Sequence, residues 1–266
     1  MTLTYQAQAV AAAFVAARKS ARALEEYPGE RPVDLVDAYR IQDHAILLHD
    51  RQIAGWKVGR INSPDAERLG ANRLAGPIFA DSVVYASDGD KPAMPVFAGG
   101  FAAAEAEFLL HVAAGWDGVA PSDNAAARAL IDDVRLGIEI ASSPYPGINA
   151  DGPSVTTSDF GNNAGLVIGP QLATWQELDL ADIEVVTVID GCEIGRASVA
   201  TMLDGPFGAV RFLLGNLAER GIGSAGDFWI STGAVTGVHT VEVGQTVTAV
   251  FGNFGEVHSR IVAAAG

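Results

Sequence analysis

Hydrophobic residues at the start of this 266-residue chain recur at helical spacing, and further on the spacing shortens to two. Val10, Phe14, Ala17 and Ala21 predict an amphipathic helix over residues 3–22, and Leu35, Tyr39, Ile41, Ile46 and Leu47 predict a second over 33–51, entered after Pro32. Residues 53–59 then read as a short strand bracketed by glycines, and 76–83 as a turn feeding a strand. Across 103–112 the alternation is clear: Ala104, Ala106, Phe108, Leu110 and Val112 form one apolar face, while Glu105 and Glu107 point together to the other. A helix over 121–133, capped by Ser122, leads into an apolar strand over 134–141 that Glu139 interrupts. Residues 157–165 read as a polar, glycine-bearing loop. After residue 183 come strands at 184–190 and 193–199, then a helix over 206–220 with Val210, Leu213, Leu214 and Leu217 inward. Short apolar segments between glycine-rich turns at 227–232, 240–242, 246–251 and 257–262 predict a β-meander. The pattern is α+β: a small helical subdomain over residues 1–75 ahead of a β-rich domain over 76–266.

Composition narrows the function. The chain carries 17 basic and 32 acidic residues, a net charge of -15, and has no basic cluster, which argues against nucleic acid or an anionic membrane surface as a partner. The single cysteine, Cys192, rules out an internal disulfide and fits a reducing compartment. The apolar run 9–17 is too short to span a bilayer, so a soluble, cytoplasmic protein is expected.

Familiar catalytic signatures are absent: no phosphate loop, no His-Glu-x-x-His, no Gly-x-Ser-x-Gly. The five histidines, at 44, 49, 111, 239 and 258, are scattered. Carboxylates on strands remain. Glu105 and Glu107 would lie roughly 6 to 7 Å apart on one strand face, close enough to converge on one cation, though the same pattern describes an ordinary solvated face. Lys57, between Trp56 and Val58, is either a snorkelling edge residue or a desolvated ammonium lining a pocket; Asp81 is a turn-capping residue or a pocket acid. Hard oxygen donors favour Mg²⁺ or Mn²⁺ over zinc.

In chain order, Gly55-Trp56-Lys57-Val58-Gly59, Gly76-Pro77-Ile78-Phe79-Ala80-Asp81, Glu105-Ala106-Glu107, the lone Glu139, Asn162-Asn163-Ala164-Gly165 and Thr232-Gly233-Ala234 resemble the 2-keto-4-pentenoate hydratase and 4-oxalocrotonate decarboxylase family, a branch of the fumarylacetoacetate hydrolase superfamily. The resemblance runs from about residue 30 to the end. It implies a mixed β-roll or sandwich with flanking helices and a divalent metal, Mg²⁺ or Mn²⁺, held by Glu105, Glu107 and Glu139. It also implies proton transfer by Lys57 and Asp81, and a substrate-approaching loop at Asn163. The sequence departs from many relatives in having Ala102-Ala103-Ala104, where they carry a basic residue just before the Glu-x-Glu pair.

The activity this resemblance implies first is a lyase of hydratase type, adding water to a 2-hydroxy-2,4-dienoate to give a 4-hydroxy-2-oxo acid in aromatic catabolism. Decarboxylation of a 2-oxo-3-enedioate and C–C hydrolysis of an acylpyruvate are the enzymatic alternatives; a catalytically inactive partner subunit is the non-enzymatic one. A homo-oligomer, and association with a related decarboxylase or hydratase, are also implied. Burial beside Trp56 would lower the pKa of Lys57, and a pocket would raise that of Asp81.

Overall fold

The structure, a computed structural model, describes residues 2–223 and 226–266, with side chains from residue 6 onward. The helices are α1 (Thr2–Lys19), α2 (Leu35–His49), α3 (Asp65–Leu69), α4 (Asn124–Arg128), α5 (Pro153–Ser158) and α6 (Gly205–Glu219). The strands in the first half are β1 (Ile53–Arg60), β2 (Arg73–Phe79), β3 (Val83–Tyr85), β4 (Ala93–Val96), β5 (Phe101–Val112) and β6 (Ile131–Ser143). They continue with β7 (Asn163–Gln171), β8 (Glu184–Ile189), β9 (Cys192–Ser198), β10 (Phe228–Ser231), β11 (His239–Thr240), β12 (Thr246–Phe251) and β13 (Gly255–Ala263).

The larger sheet has eight strands: seven run in the order β2-β1-β10-β5-β6-β7-β3, and β11 pairs with β5 beyond β10. The smaller sheet runs β4-β13-β12-β8-β9. The architecture is α+β, with mixed, curled sheets and few helices, as the pattern predicts. The even face of β5, from Ala104 to Val112, packs into the main core against Phe251, Val257 and Ile261 from the smaller sheet. One face of α6 (Val210, Leu213, Leu214 and Leu217) fills the same core.

Four local expectations change. The helix expected over 121–133 is only the five residues of α4, because Ile131 onward is captured by β5 in a long antiparallel ladder. The 157–165 loop is the end of α5 followed by a 3₁₀ turn over Phe160–Asn162. The expected meander is a single hairpin, β12–β13, since β10 inserts between β1 and β5 in the other sheet. The boundary near residue 75 falls inside β2, and β1 and β2 belong to the large sheet, so residues 53–79 share that sheet with the C-terminal half. Local periodicity cannot report such pairings, because they depend on partners far along the chain. Among the described residues no helix is long and apolar enough to cross a membrane.

Helices α1 and α2 pack over a second apolar cluster, with Phe14, Tyr27, Ile41, Phe79 and Phe160 at its centre. His49, at the end of α2, is 8% exposed and lies 4.4 Å from the Phe79 ring centroid and 5.4 Å from that of Phe160. Its Nδ1 has no hydrogen-bond partner among the described residues. Burial, aided by Arg51, Arg18 and Lys19, lowers its pKa from 6.5 to about 4. The unfolded chain therefore binds one more proton than the folded one between those values, and stability falls as pH drops through that window. We expect a loss on the order of 2 kcal/mol from His49 between pH 7 and pH 5. Urea titrations of wild type and His49→Phe would check this; parallel pH profiles would refute it.

Candidate metal centre

Two adjacent strands build the site. On β5, alternation places Glu105 and Glu107 on one face, and the antiparallel register sets Glu105 directly opposite Glu139 on β6. Such opposed residues have Cβ atoms about 4.5–5.5 Å apart, where like charges repel. Gly137 faces Glu107, and the space it leaves is taken by Leu109: an added Cβ would meet Leu109 Cδ1 at 2.3 Å. Gly137 thus serves packing.

The face expected to be either wet or cation-binding is not wet. Glu105 is 5% exposed, and Glu107 and Glu139 are fully buried. One carboxylate oxygen from each lies within 4.8 Å of the other two. Neighbours fix the rest of each group. Glu107 Oε2 accepts hydrogen bonds from Ser231 Oγ at 2.5 Å and the Gly233 N–H at 2.8 Å; Glu139 Oε1 accepts one from Asn163 Nδ2 at 2.9 Å. Among the described residues, Glu107 Oε1 is buried and accepts no hydrogen bond, and Glu139 Oε2, also buried, has only the Lys57 ammonium 3.3 Å away. Buried carboxylate oxygens without donors are costly, and a divalent cation is what such an oxygen set satisfies. The three residues therefore fit a divalent metal.

Lys57 reaches the triad from β1, with Nζ 3.3 Å from Glu139 Oε2 and 3.4 Å from Asn162 Oδ1. Burial alone would depress this lysine's pKa, as expected from its apolar neighbours. Glu139, Glu105 and Glu107 together outweigh burial and raise it, reversing the expected direction. Burial pushes Glu105 upward, opposed by Lys57 and reinforced by Glu139. Glu107 rises well above the usual carboxylate range through burial and the two neighbouring glutamates.

Lys57, Glu105 and Asn162 line a cavity of about 730 Å³, whose other walls include Arg60, Leu74, Asn149, Met202 and residues 232–238. Asp81 is not brought there. It sits on a 3₁₀ turn, its side chain 51% exposed, and pairs with Arg51. Asn163 braces Glu139, while its neighbour Asn162 lines the cavity. The Asn-Asn pair was legible in sequence; which member faces the cavity depends on the turn, with Phe160, Gly161 and Asn162 all left-handed (φ 54°, 61° and 60°). Ser231, a partner of Glu107, was missed. Its only sequence signal is its place just before Thr232-Gly233-Ala234.

That turn lies on Gly76 of β2, where an added Cβ would stand 2.0 Å from the Phe160 carbonyl oxygen. Gly76→Ala must displace backbone, and we expect a stability loss of about 1–3 kcal/mol together with weakened Mn²⁺ binding. Thermal melts and calorimetric titration measure both; a wild-type profile would show that the turn can move freely.

No family model matches the chain. Over 134 residues it is 28% identical to a 4-oxalocrotonate decarboxylase of Pseudomonas putida, a match spanning half of this chain and half the length of that relative. Its fold matches the 4-oxalocrotonate decarboxylase of Pseudomonas putida G7 complexed with magnesium and adipate, with TM-score 0.80 and 22% identity over 97% of this chain and 98% of that one. A fumarylpyruvate hydrolase from Pseudomonas aeruginosa in complex with Mn²⁺ and pyruvate matches with TM-score 0.57 and 18% identity, covering 81% and 93% of the two chains. These likenesses agree with the family that the motifs resemble, and with a fumarylacetoacetate-hydrolase-like fold.

Proposed function

We propose that this chain, a relative of the 4-oxalocrotonate decarboxylases within the fumarylacetoacetate hydrolase superfamily, is a metal-dependent enzyme that decarboxylates a 2-oxo-3-enedioate. The observation that carries the reading is the buried Glu105–Glu107–Glu139 triad with Lys57 beside it on a cavity wall. A divalent cation held by the triad would supply Lewis-acid polarisation of the substrate's 2-oxo acid group.

The protein's own residues account for the rest. The cavity admits an extended acid of this size, and Leu74, Ala234 and Val235 offer it apolar wall. In decarboxylation the bond to the departing carboxylate breaks, its electron pair becomes the C4=C5 double bond, and the conjugated system shifts toward the 2-oxygen. One proton is needed at that oxygen. Lys57, whose Nζ lies 3.3 Å from Glu139 Oε2 on the cavity wall, is the group to give it, and Asn162 Oδ1, 3.4 Å from Nζ, orients the lysine.

The number of proton-handling groups favours decarboxylation over the hydration implied first by the motifs. Hydration must protonate C5 and also activate a water for C4. Asp81, the expected second group, faces Arg51 rather than the cavity. The low-identity relatives named 4-oxalocrotonate decarboxylase point the same way.

The test is to supply metal-stripped protein plus Mn²⁺ with 2-oxohex-3-enedioate and, separately, with 2-hydroxypenta-2,4-dienoate. Metal-dependent CO₂ release from the first, without consumption of the second, is expected. Consumption of the dienoate without CO₂ release would establish hydration instead.

A further inference from the structure

We propose that Arg18, on α1 and outside the cavity, is a positioning residue that holds the 159–163 turn in the geometry cation binding requires. The inference rests on the metal-binding reading above. It starts from a long-range clamp. The Arg18 side chain is 8% exposed. It donates to Asp159 through Nε at 2.6 Å and Nη2 at 2.9 Å, the bidentate match of guanidinium to carboxylate. Its remaining donors reach backbone carbonyls: Nη1 to Asn163 at 2.9 Å, and Nη2 to Ser142 at 3.1 Å and Asp159 at 3.3 Å. Ser143 Oγ completes Asp159 at 2.7 Å. The guanidinium also lies over the Phe160 and Phe97 rings, 5.1 and 5.4 Å from their centroids.

What the clamp holds is strained. Phe160 and Asn162 are L residues in the left-handed region, a conformation that persists only where surrounding contacts over-determine it. From this turn Asn163 reaches Glu139 Oε1 and Asn162 reaches Lys57. Ser142 lies on β6, the strand that carries Glu139, so one side chain ties the turn to the ligand strand. Gln42 of α2 and Tyr27 hold the preceding residues through the Thr157 carbonyl and Ser158 Oγ. The N-terminal helices thus brace the metal site.

Lysine cannot replace this fork. It can pair with Asp159 but cannot at the same time reach the carbonyls of Asn163 and Ser142. The experiment titrates Mn²⁺ calorimetrically into stripped full-length wild type, Arg18→Ala, Arg18→Lys and Phe14→Leu, the last a core change on the same helix, with a thermal melt of each. Expected are Mn²⁺ affinities lowered about tenfold or more in Arg18→Ala and severalfold in Arg18→Lys, the variant that keeps the charge and guards against misfolding of the first. Phe14→Leu should lose thermal stability yet bind as wild type, and added guanidinium should partly restore affinity to Arg18→Ala. Wild-type affinity in a folded Arg18 variant, or an equal loss in Phe14→Leu, would overturn the proposal. Absence of Mn²⁺ binding by wild type would instead sink the metal reading and this inference with it.

Discussion

Glu107→Gln is expected to lower Mn²⁺ affinity by at least ~100-fold and to remove turnover, while making the metal-free protein more stable above pH 4.5. The two signs have one cause. Glu107 is fully buried, with Oε2 held by Ser231 and Gly233 and Oε1 left without a donor. Glutamine keeps the shape and the bonds at one oxygen but withdraws the charge. Burial and the two neighbouring glutamates raise the folded pKa of Glu107. Above its ordinary 4.5 the folded protein therefore binds more protons than the unfolded chain, and metal-free stability falls as pH climbs. The variant lacks that slope. Calorimetric Mn²⁺ titration, with melts of stripped protein at pH 5 and pH 8, reads both effects. Unchanged affinity would remove Glu107 from the ligand set, whereas general damage would lower stability and affinity together.

Lys57→Met is expected to separate chemistry from binding. Loss of a positioned proton donor typically lowers kcat by about 10²–10⁴. The carboxylates remain, so Mn²⁺ binding should persist, and with a competing positive charge gone it should tighten. Without metal the outcome is harsher, because the variant buries three carboxylates with no countercharge; such losses run to about 3–5 kcal/mol. The folded pKa of Lys57 is raised, so its contribution is present at every pH below its ordinary 10.5 and fades only above that. Glu105 and Glu107, already pushed upward, can relieve the loss by taking up protons at low pH, so the deficit should be smaller at pH 6 than at pH 9, and Mn²⁺ should largely repair it. Unchanged kcat would exclude Lys57 from proton transfer.

The two variants probe groups of different legibility. Glu105 and Glu107 could be paired from sequence because a strand returns to the same face every second residue, a local geometric fact. Trp56, Lys57 and Val58 announced a buried ammonium only in outline. Burial of the stem was a reasonable inference, but the sign of its pKa shift depended on three carboxylates, two of them reaching it from β5 and one from β6. Asp81 illustrates the opposite outcome. Its motif neighbours are hydrophobic and its turn is as expected, yet the 3₁₀ geometry aims it at Arg51, which no local pattern encodes.

By itself the sequence determined the helical faces of α1, α2 and α6, the alternation of β5, the acidic, cluster-free charge balance and the carboxylate set from which a metal site could be drawn. Each follows from residue spacing within one element, where backbone geometry alone decides which side chains share a face. Tertiary structure alone decided that Glu139 stands opposite Glu105, that β10 enters between β1 and β5, that Asn162 rather than Asn163 lines the cavity, and that Arg18 grips a turn 141 residues away. Those contacts depend on strand register and on chain segments brought together only when apolar faces are buried, and a one-residue slip in β6 would have turned Glu139 to the opposite face.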